Sequence, residues 1–241
     1  MIFNTSPFLE AIQTLKSVRS QARASEATRN LADIENIQSE EDLDIFLNSY
    51  YQHPRPEQVT EAIGVLGASD ILEKDSAAAP IVGFFSELFS VNPDKIPQWQ
   101  AIIEKQPPRA KDILKQAILI SKNGGILRNT DPTPQLNDMC WGAFLASGRA
   151  DYIRQLINHI KYFNEQNDPT LFITAGTARW SLASMAIGHK AVRSILEAER
   201  DTLDGRSKHD IEKLLSTSPD DLHKEMEDIV RKKQASGEWS S

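Results

Sequence analysis

Apolar residues recur at helical spacing along nearly the whole chain, and alternating runs of Val, Ile and Thr are absent. The pattern predicts an all-α protein. A first helix takes Ser6 as N-cap and Pro7 as its first residue, with Phe8, Ile12, Leu15 and Ala22 on one face. Ser39-Glu40-Glu41-Asp42 reads as a capping box with Asp in place of Glu. It opens a helix through Leu43, Phe46, Leu47 and Tyr50 that ends at His53-Pro54-Arg55-Pro56. The next helix starts at Glu57 and carries Val59, Ile63 and Leu66. Another spans Ala79 to Val91, with Ile81, Phe84, Phe85, Leu88 and Phe89 on a single stripe.

Beyond Asn92-Pro93 the pattern gives a helix with Ile96, Trp99 and Ile103, then one from Arg109 to Ser121 closed by Asn123-Gly124-Gly125, a triplet suited to a left-handed cap. The stretch Ile126 to Pro134, holding Asn129, Asp131 and Pro132, is the longest expected loop. Helices follow near 135–147, 150–163, 169–187 and 190–203, with Asp168-Pro169 and Gly188-His189 as punctuation. Two more lie in the charged C-terminal part. The last begins at Ser218-Pro219-Asp220-Asp221 and carries a narrow stripe of Leu222, Met226, Ile229 and Val230; the tail from Gly237, with an exposed Trp239, is expected to fray.

Short connections favour antiparallel neighbours. The expected architecture is therefore one of stacked antiparallel helical hairpins, an α-solenoid or an irregular helical bundle of roughly ten to twelve helices. It divides into an N-terminal arm (1–38), a first helical half (39–125), the loop 126–134, a second half (135–203) and charged C-terminal helices with a tail (204–241), all in one compact domain.

A shift of 94 residues lays Asp44, Tyr50, Arg55, Val59 and Ile63 over Asp138, Phe144, Arg149, Ile153 and Ile157. With two residues of slippage, Phe84, Val91, Ile96 and Trp99 fall on Trp180, Ile187, Val192 and Ile195. Duplication and the shared periodicity of helical hairpins both account for this.

Within the second half, Ala143 to Ile157 resembles the helix-turn-helix of an ankyrin repeat, with Gly148 at the turn. Thr133-Pro134 lies too far upstream for ankyrin spacing. The tetratricopeptide pattern measured from Trp141 meets Leu145 where Gly is required, so the likeness is to helical hairpins without either consensus. Asp138-Met139-Cys140-Trp141-Gly142 and Trp180-Ser181-Leu182-Ala183-Ser184 resemble segments of an uncharacterised group of bacterial helical proteins. That resemblance implies a helical fold and no activity.

The 241 residues carry a net charge of −7 and a single cysteine, Cys140, in an apolar setting. Disulfide frameworks and cysteine-rich zinc sites are excluded. Attraction to nucleic-acid backbones is disfavoured, and a basic protein partner is favoured. No apolar run reaches membrane-spanning length and no leader pattern opens the chain, which gives a cytoplasmic expectation.

Charge is most informative where it is missing. Between Asp75 and Asp94 the only charged residue is Glu87, and between Asp168 and Lys190 it is Arg179. The helix around Arg179 is apolar nearly all round, so it is expected to be central. A buried guanidinium keeps its proton and needs a carboxylate or several carbonyls, and Glu87 and Asp138 are the candidates. Trp99, Trp141 and Trp180 belong either to helical cores or to a peptide-binding groove.

No two of the five histidines have helical zinc spacing, so no metal is expected. His209-Asp210 alone does not make a metal-dependent phosphohydrolase. No nucleophile elbow, phosphate loop or dinucleotide fingerprint is present, and no cofactor or catalytic residue is assigned. Gly64-Val65-Leu66-Gly67 lies within a helical pattern. The sequence points to a non-catalytic interaction or scaffold protein, with Arg179, Glu87, Asp138, Trp141 and Trp180 as candidate binding residues. An all-α hydrolase with a polar site near Glu87, Asp138 and Arg179 is the alternative.

Overall fold

Residues 36–128 and 131–239 are described by the structure, a computed structural model. The helix expected from Ser6 and all but the last residues of the N-terminal arm lie outside them. Among the described residues there are eleven α-helices and no strand. The protein is all-α, as its periodicity requires.

Contacts group the chain into two units, one of residues up to Gly125 with Leu145–Ser147, the other of Ile126–Phe144 with the residues from Gly148 on. The first unit contains α1 (Glu40–Ser49), α2 (Val59–Ala68), α3 (Asp75–Val91), α4 (Ile96–Ile103) and α5 (Pro108–Lys122). The capping box at α1 forms: the Asp42 amide donates to Ser39 Oγ and the Ser39 amide to Asp42 Oδ2, both at 3.1 Å. Helix α3 starts four residues before the expected Ala79 and takes Pro80 into its interior. A proline so near the N-terminus removes only one carbonyl's partner, and Asp75 in the first turn suits the helix dipole.

The first unit packs as an irregular helical bundle. Helix α3 packs chiefly against α5, two helices on in sequence, rather than against its immediate successor α4. Arg109 fixes the direction: Nε donates to the Leu72 carbonyl and Nη2 meets Asp75 Oδ1 at 2.6 Å, so the two helices start side by side and run parallel. The eight-residue α4 is the return leg between them. A linked series of rings fills this core, from Phe46 and Tyr50 through Phe84, Phe85 and Phe89 to Trp99, with neighbouring centroids 5.1–6.0 Å apart. Trp99 is thus a core residue. Gly67 in α2 makes room for the Gln106 side chain, whereas a Cβ added at Gly64 would meet nothing within 4 Å.

The second unit contains α6 (Pro134–Ser147, through Phe144), α7 (Ala150–Ile160), a 3-10 turn (Lys161–Asn164), α8 (Pro169–Gly188), α9 (Lys190–Thr202), α10 (Gly205–Ser216) and α11 (Pro219–Ala235). Proline at the first position and a side-chain cap start three of these helices. Thr133 accepts from the Leu136 amide, Asp168 from Leu171 and Ser218 from Asp221, at 3.0–3.1 Å. Gly148 ends α6 at φ 69°, the left-handed conformation that glycine adopts without a Cβ penalty.

The charge-poor α8 is the centre of this unit, with α7, the 161–164 turn, α9, α10 and α11 all packed on it. Burial of Phe172, Trp180 and Leu182 contributes about 1.5–3 kcal/mol each. Ile187, on this helix expected to be central, is instead 59% exposed. The tail also departs from expectation. Trp239 is buried against Phe172, centroids 5.3 Å apart, and its indole Nε1 donates to the Gln166 carbonyl at 3.0 Å.

Candidate functional site

Four turns of α8 line up Phe172, Gly176, Arg179, Ala183 and Ala186 on one face. Helix α11 sits on the first part of it. Met226 occupies the space above Gly176, where an added Cβ would lie 2.2 Å from Met226 Sδ. One residue earlier on α11, Glu225 Oε2 takes a hydrogen bond from Arg179 Nη2 at 3.2 Å.

Arg179 is 4% exposed, and its guanidinium lies over the Phe163 ring, 3.7 Å from the centroid. The ring face offers negative potential to a cation that water no longer reaches. Glu225 closes the arrangement, since its other oxygen accepts from Lys213 Nζ at 2.8 Å. A single carboxylate therefore ties together α8, α10 and α11. Burial alone would raise the Glu225 carboxyl, but the Lys213 hydrogen bond and the Arg179 and Lys213 charges outweigh it and hold it below its ordinary value.

The expected partners of Arg179 are thus replaced by Glu225. Glu87, 3% exposed, belongs to α3 in the first unit. Asp138 lies half-buried on α6, with no hydrogen-bond or ion-pair partner among the described residues. Burial without compensation pushes its carboxyl from 3.8 up to about 7. Sequence reasoning missed Glu225 because α11 reads as an ordinary charged helix. The available signal was its position beside Met226, at the border of the narrow apolar stripe.

The tryptophans named from sequence are buried. Trp141 donates from Nε1 to Ser181 Oγ at 2.9 Å, and the Ser181 hydroxyl donates in turn to the Ala178 carbonyl at 3.1 Å. Trp180 packs beside His223 with centroids 6.2 Å apart, and its buried Nε1 meets no acceptor among the described residues. Arg179 Nη1 is in the same condition.

A second polar cluster lies inside this unit. Asn137 Nδ2 donates to the Thr174 carbonyl at 2.8 Å and to Thr177 Oγ1 at 3.0 Å, which leaves Asn137 Oδ1 to accept from His159 Nδ1 at 2.7 Å. A neutral His159 with its proton on Nδ1 then accepts at Nε2 from Gln155 Nε2, 2.8 Å away. Donors and acceptors alternate without conflict, as expected of a structural network. His159 shares the apolar face of α7 with Tyr152, Leu156 and Ile160, and that placement was its sequence signal.

Cys140 is fully buried, and burial together with the Asp138 charge pushes its thiol up to about 12, far from nucleophilic readiness. Among the described residues no group of three His, Cys, Asp or Glu side chains is placed to hold a metal ion. A depression of about 410 Å³ is lined by Gln166, Ile229, Lys232, Lys233, Ser236 and Glu238. Its hydroxyl, Ser236 Oγ, is committed to the Lys233 carbonyl and Glu238. Among the described residues, no helix is long and apolar enough to cross a membrane. Comparison with protein-family models, with curated proteins and with solved structures gives no match in any of the three.

Proposed function

We propose that this chain is a non-catalytic protein-protein interaction protein, a helical scaffold whose net charge of −7 favours a basic partner. The observation that carries the reading is the fate of Arg179. Its guanidinium is sealed over Phe163 and paired with Glu225, so the most unusual charge in the sequence serves packing between helices. The hydrogen bonds of Asn137 and the burial of Cys140 support the same reading, because each of these groups is used inside the fold. Capture of the tagged full chain from its native host at low salt should retain a basic protein that high salt releases. Recovery of the chain alone under mild conditions overturns the proposal.

An all-α hydrolase is the second reading, and Asp138 is what favours it. A half-buried carboxyl that titrates near neutrality suits general acid-base work. Hydrolysis of any substrate in a broad panel that is lost in Asp138→Asn, with helicity retained, would establish it. Inactivity of the wild-type chain throughout the panel counts against it.

A further inference from the structure

Helix α11 covers α8 on limited terms. Of its seventeen residues, only Leu222, His223 and Met226 are buried. It joins α10 through Thr217 and Ser218, both extended, with φ/ψ of −104°/142° and −65°/146°. Two indole or guanidinium donors on α8 beside this contact, Arg179 Nη1 and Trp180 Nε1, are buried with no acceptor among the described residues. Each such orphan is destabilising relative to a satisfied donor.

The seat itself is well defined. Gly176 provides a slot that takes an unbranched thioether, Arg179 asks for a carboxylate one residue before it, and Phe163 and Phe172 form an apolar end closed by Trp239. A helix bearing a flexible apolar residue at the slot and a carboxylate beside it fits this surface, and one bringing two further acceptors fits it better than α11 does.

We propose that α11 is a displaceable occupant of a helix-receiving seat on α8, and that the seat's external ligand is an amphipathic helix of a partner protein with a Glu-Met-like pair facing Arg179 and Gly176. The proposal rests on the interaction reading above and names the surface and its regulation: α11 blocks the seat until a better-matched helix competes for it. The overall charge of the partner and the carboxylate at this contact are separate matters, since one buried ion pair sets register rather than long-range attraction.

Hydrogen exchange on the full wild-type chain tests the device directly. The amides of α11 should exchange through a partial opening at least about tenfold faster than the interior amides of α8. A fluorescent peptide of residues 217–239 is the binding probe. Met226→Ala empties the Gly176 slot and weakens the internal helix, so that full-length variant should bind the peptide at least about tenfold more tightly than wild type. Exchange of α11 and α8 in one cooperative step overturns the proposal. So does absence of peptide binding by a Met226→Ala chain whose α8 protection is retained. If a captured partner binds equally well to wild type and Met226→Ala, the interaction reading stands and the displaceable seat falls. If α11 opens and the peptide binds while the chain is recovered alone, the seat stands and the interaction reading falls.

Discussion

Asn137 Oδ1 and His159 Nδ1 lie 2.7 Å apart inside the second unit, and this contact fixes both the amide orientation of one residue and the tautomer of the other. Asn137 makes three hydrogen bonds there, to His159, Thr174 and Thr177. Asn137→Ala removes all of them and leaves the Thr174 carbonyl without that donor. A loss of roughly 3 kcal/mol in unfolding free energy is expected. Urea denaturation followed by circular dichroism measures it. A change within half a kcal/mol or so would remove the network from the list of stabilising features.

The two partners of the Arg179–Glu225 pair are buried to different extents, 5% exposed for the first side chain and 34% for the second. The asymmetry predicts unequal consequences. Glu225→Ala strands a buried guanidinium and should cost about 3 kcal/mol, whereas Arg179→Met keeps volume over Phe163, leaves Glu225 its Lys213 partner and should cost under about 1 kcal/mol. Equal losses in the two variants would contradict this account. The pair also has a pH signature. The folded Glu225 carboxyl is held low, so its contribution is present above the ordinary glutamate value and is lost as pH falls through the folded value. Glu225→Gln should flatten that acid limb of a stability-pH profile.

Asp138 has the opposite sign. Its folded value of about 7 lies above the ordinary 3.8, so between these values the folded chain holds a proton that the unfolded chain has released. Stability from this group is present at the acid end and falls as pH rises through that window. Asp138→Asn removes the dependence. The variant should match wild type near the lower limit and exceed it at mildly alkaline pH by on the order of 2 kcal/mol, a figure discounted for partial solvent access. Thermal melts of the two proteins across the range check it, and parallel profiles would rule it out.

Cys140 provides a probe of opening. With its thiol buried and held near 12, the native chain should react with an aromatic disulfide reagent at least about a hundredfold more slowly than the urea-unfolded chain. Comparable rates would mean that α6 is not packed as described.

Local chemistry made much of the helical layout readable. The Ser39 box, the Asp168-Pro169 and Ser218-Pro219 starts and Gly148 all act within four residues of themselves, and each produces the boundary its sequence indicates. Pairing across distance was not readable in this way. Arg179 and Glu225 are 46 residues apart, and the place beside Met226 that marks Glu225 is shared by Glu227. The burial of Trp239 was hidden for the same reason, because its acceptor, the Gln166 carbonyl, is 73 residues away.

The 94-residue correspondence meets a similar limit. In each unit one helix, α3 or α8, is the longest among the described residues and has a single charge in its interior, Glu87 or Arg179. Yet α3 packs chiefly on α5, while α8 packs chiefly on α7, the 161–164 turn and α11. Helix order and packing partners are separate properties, and periodicity reports only the first.

The late position of α11 has a consequence for synthesis. A ribosome completes α8 well before the helix that covers Gly176, and in that interval the face waits with Phe172 and the Gly176 slot open to water. Arg179 is the only full charge on α8, and during that interval it is hydrated rather than sealed. The side chain that later holds α11 in register is thus also what keeps a nascent apolar helix from adhering to its neighbours.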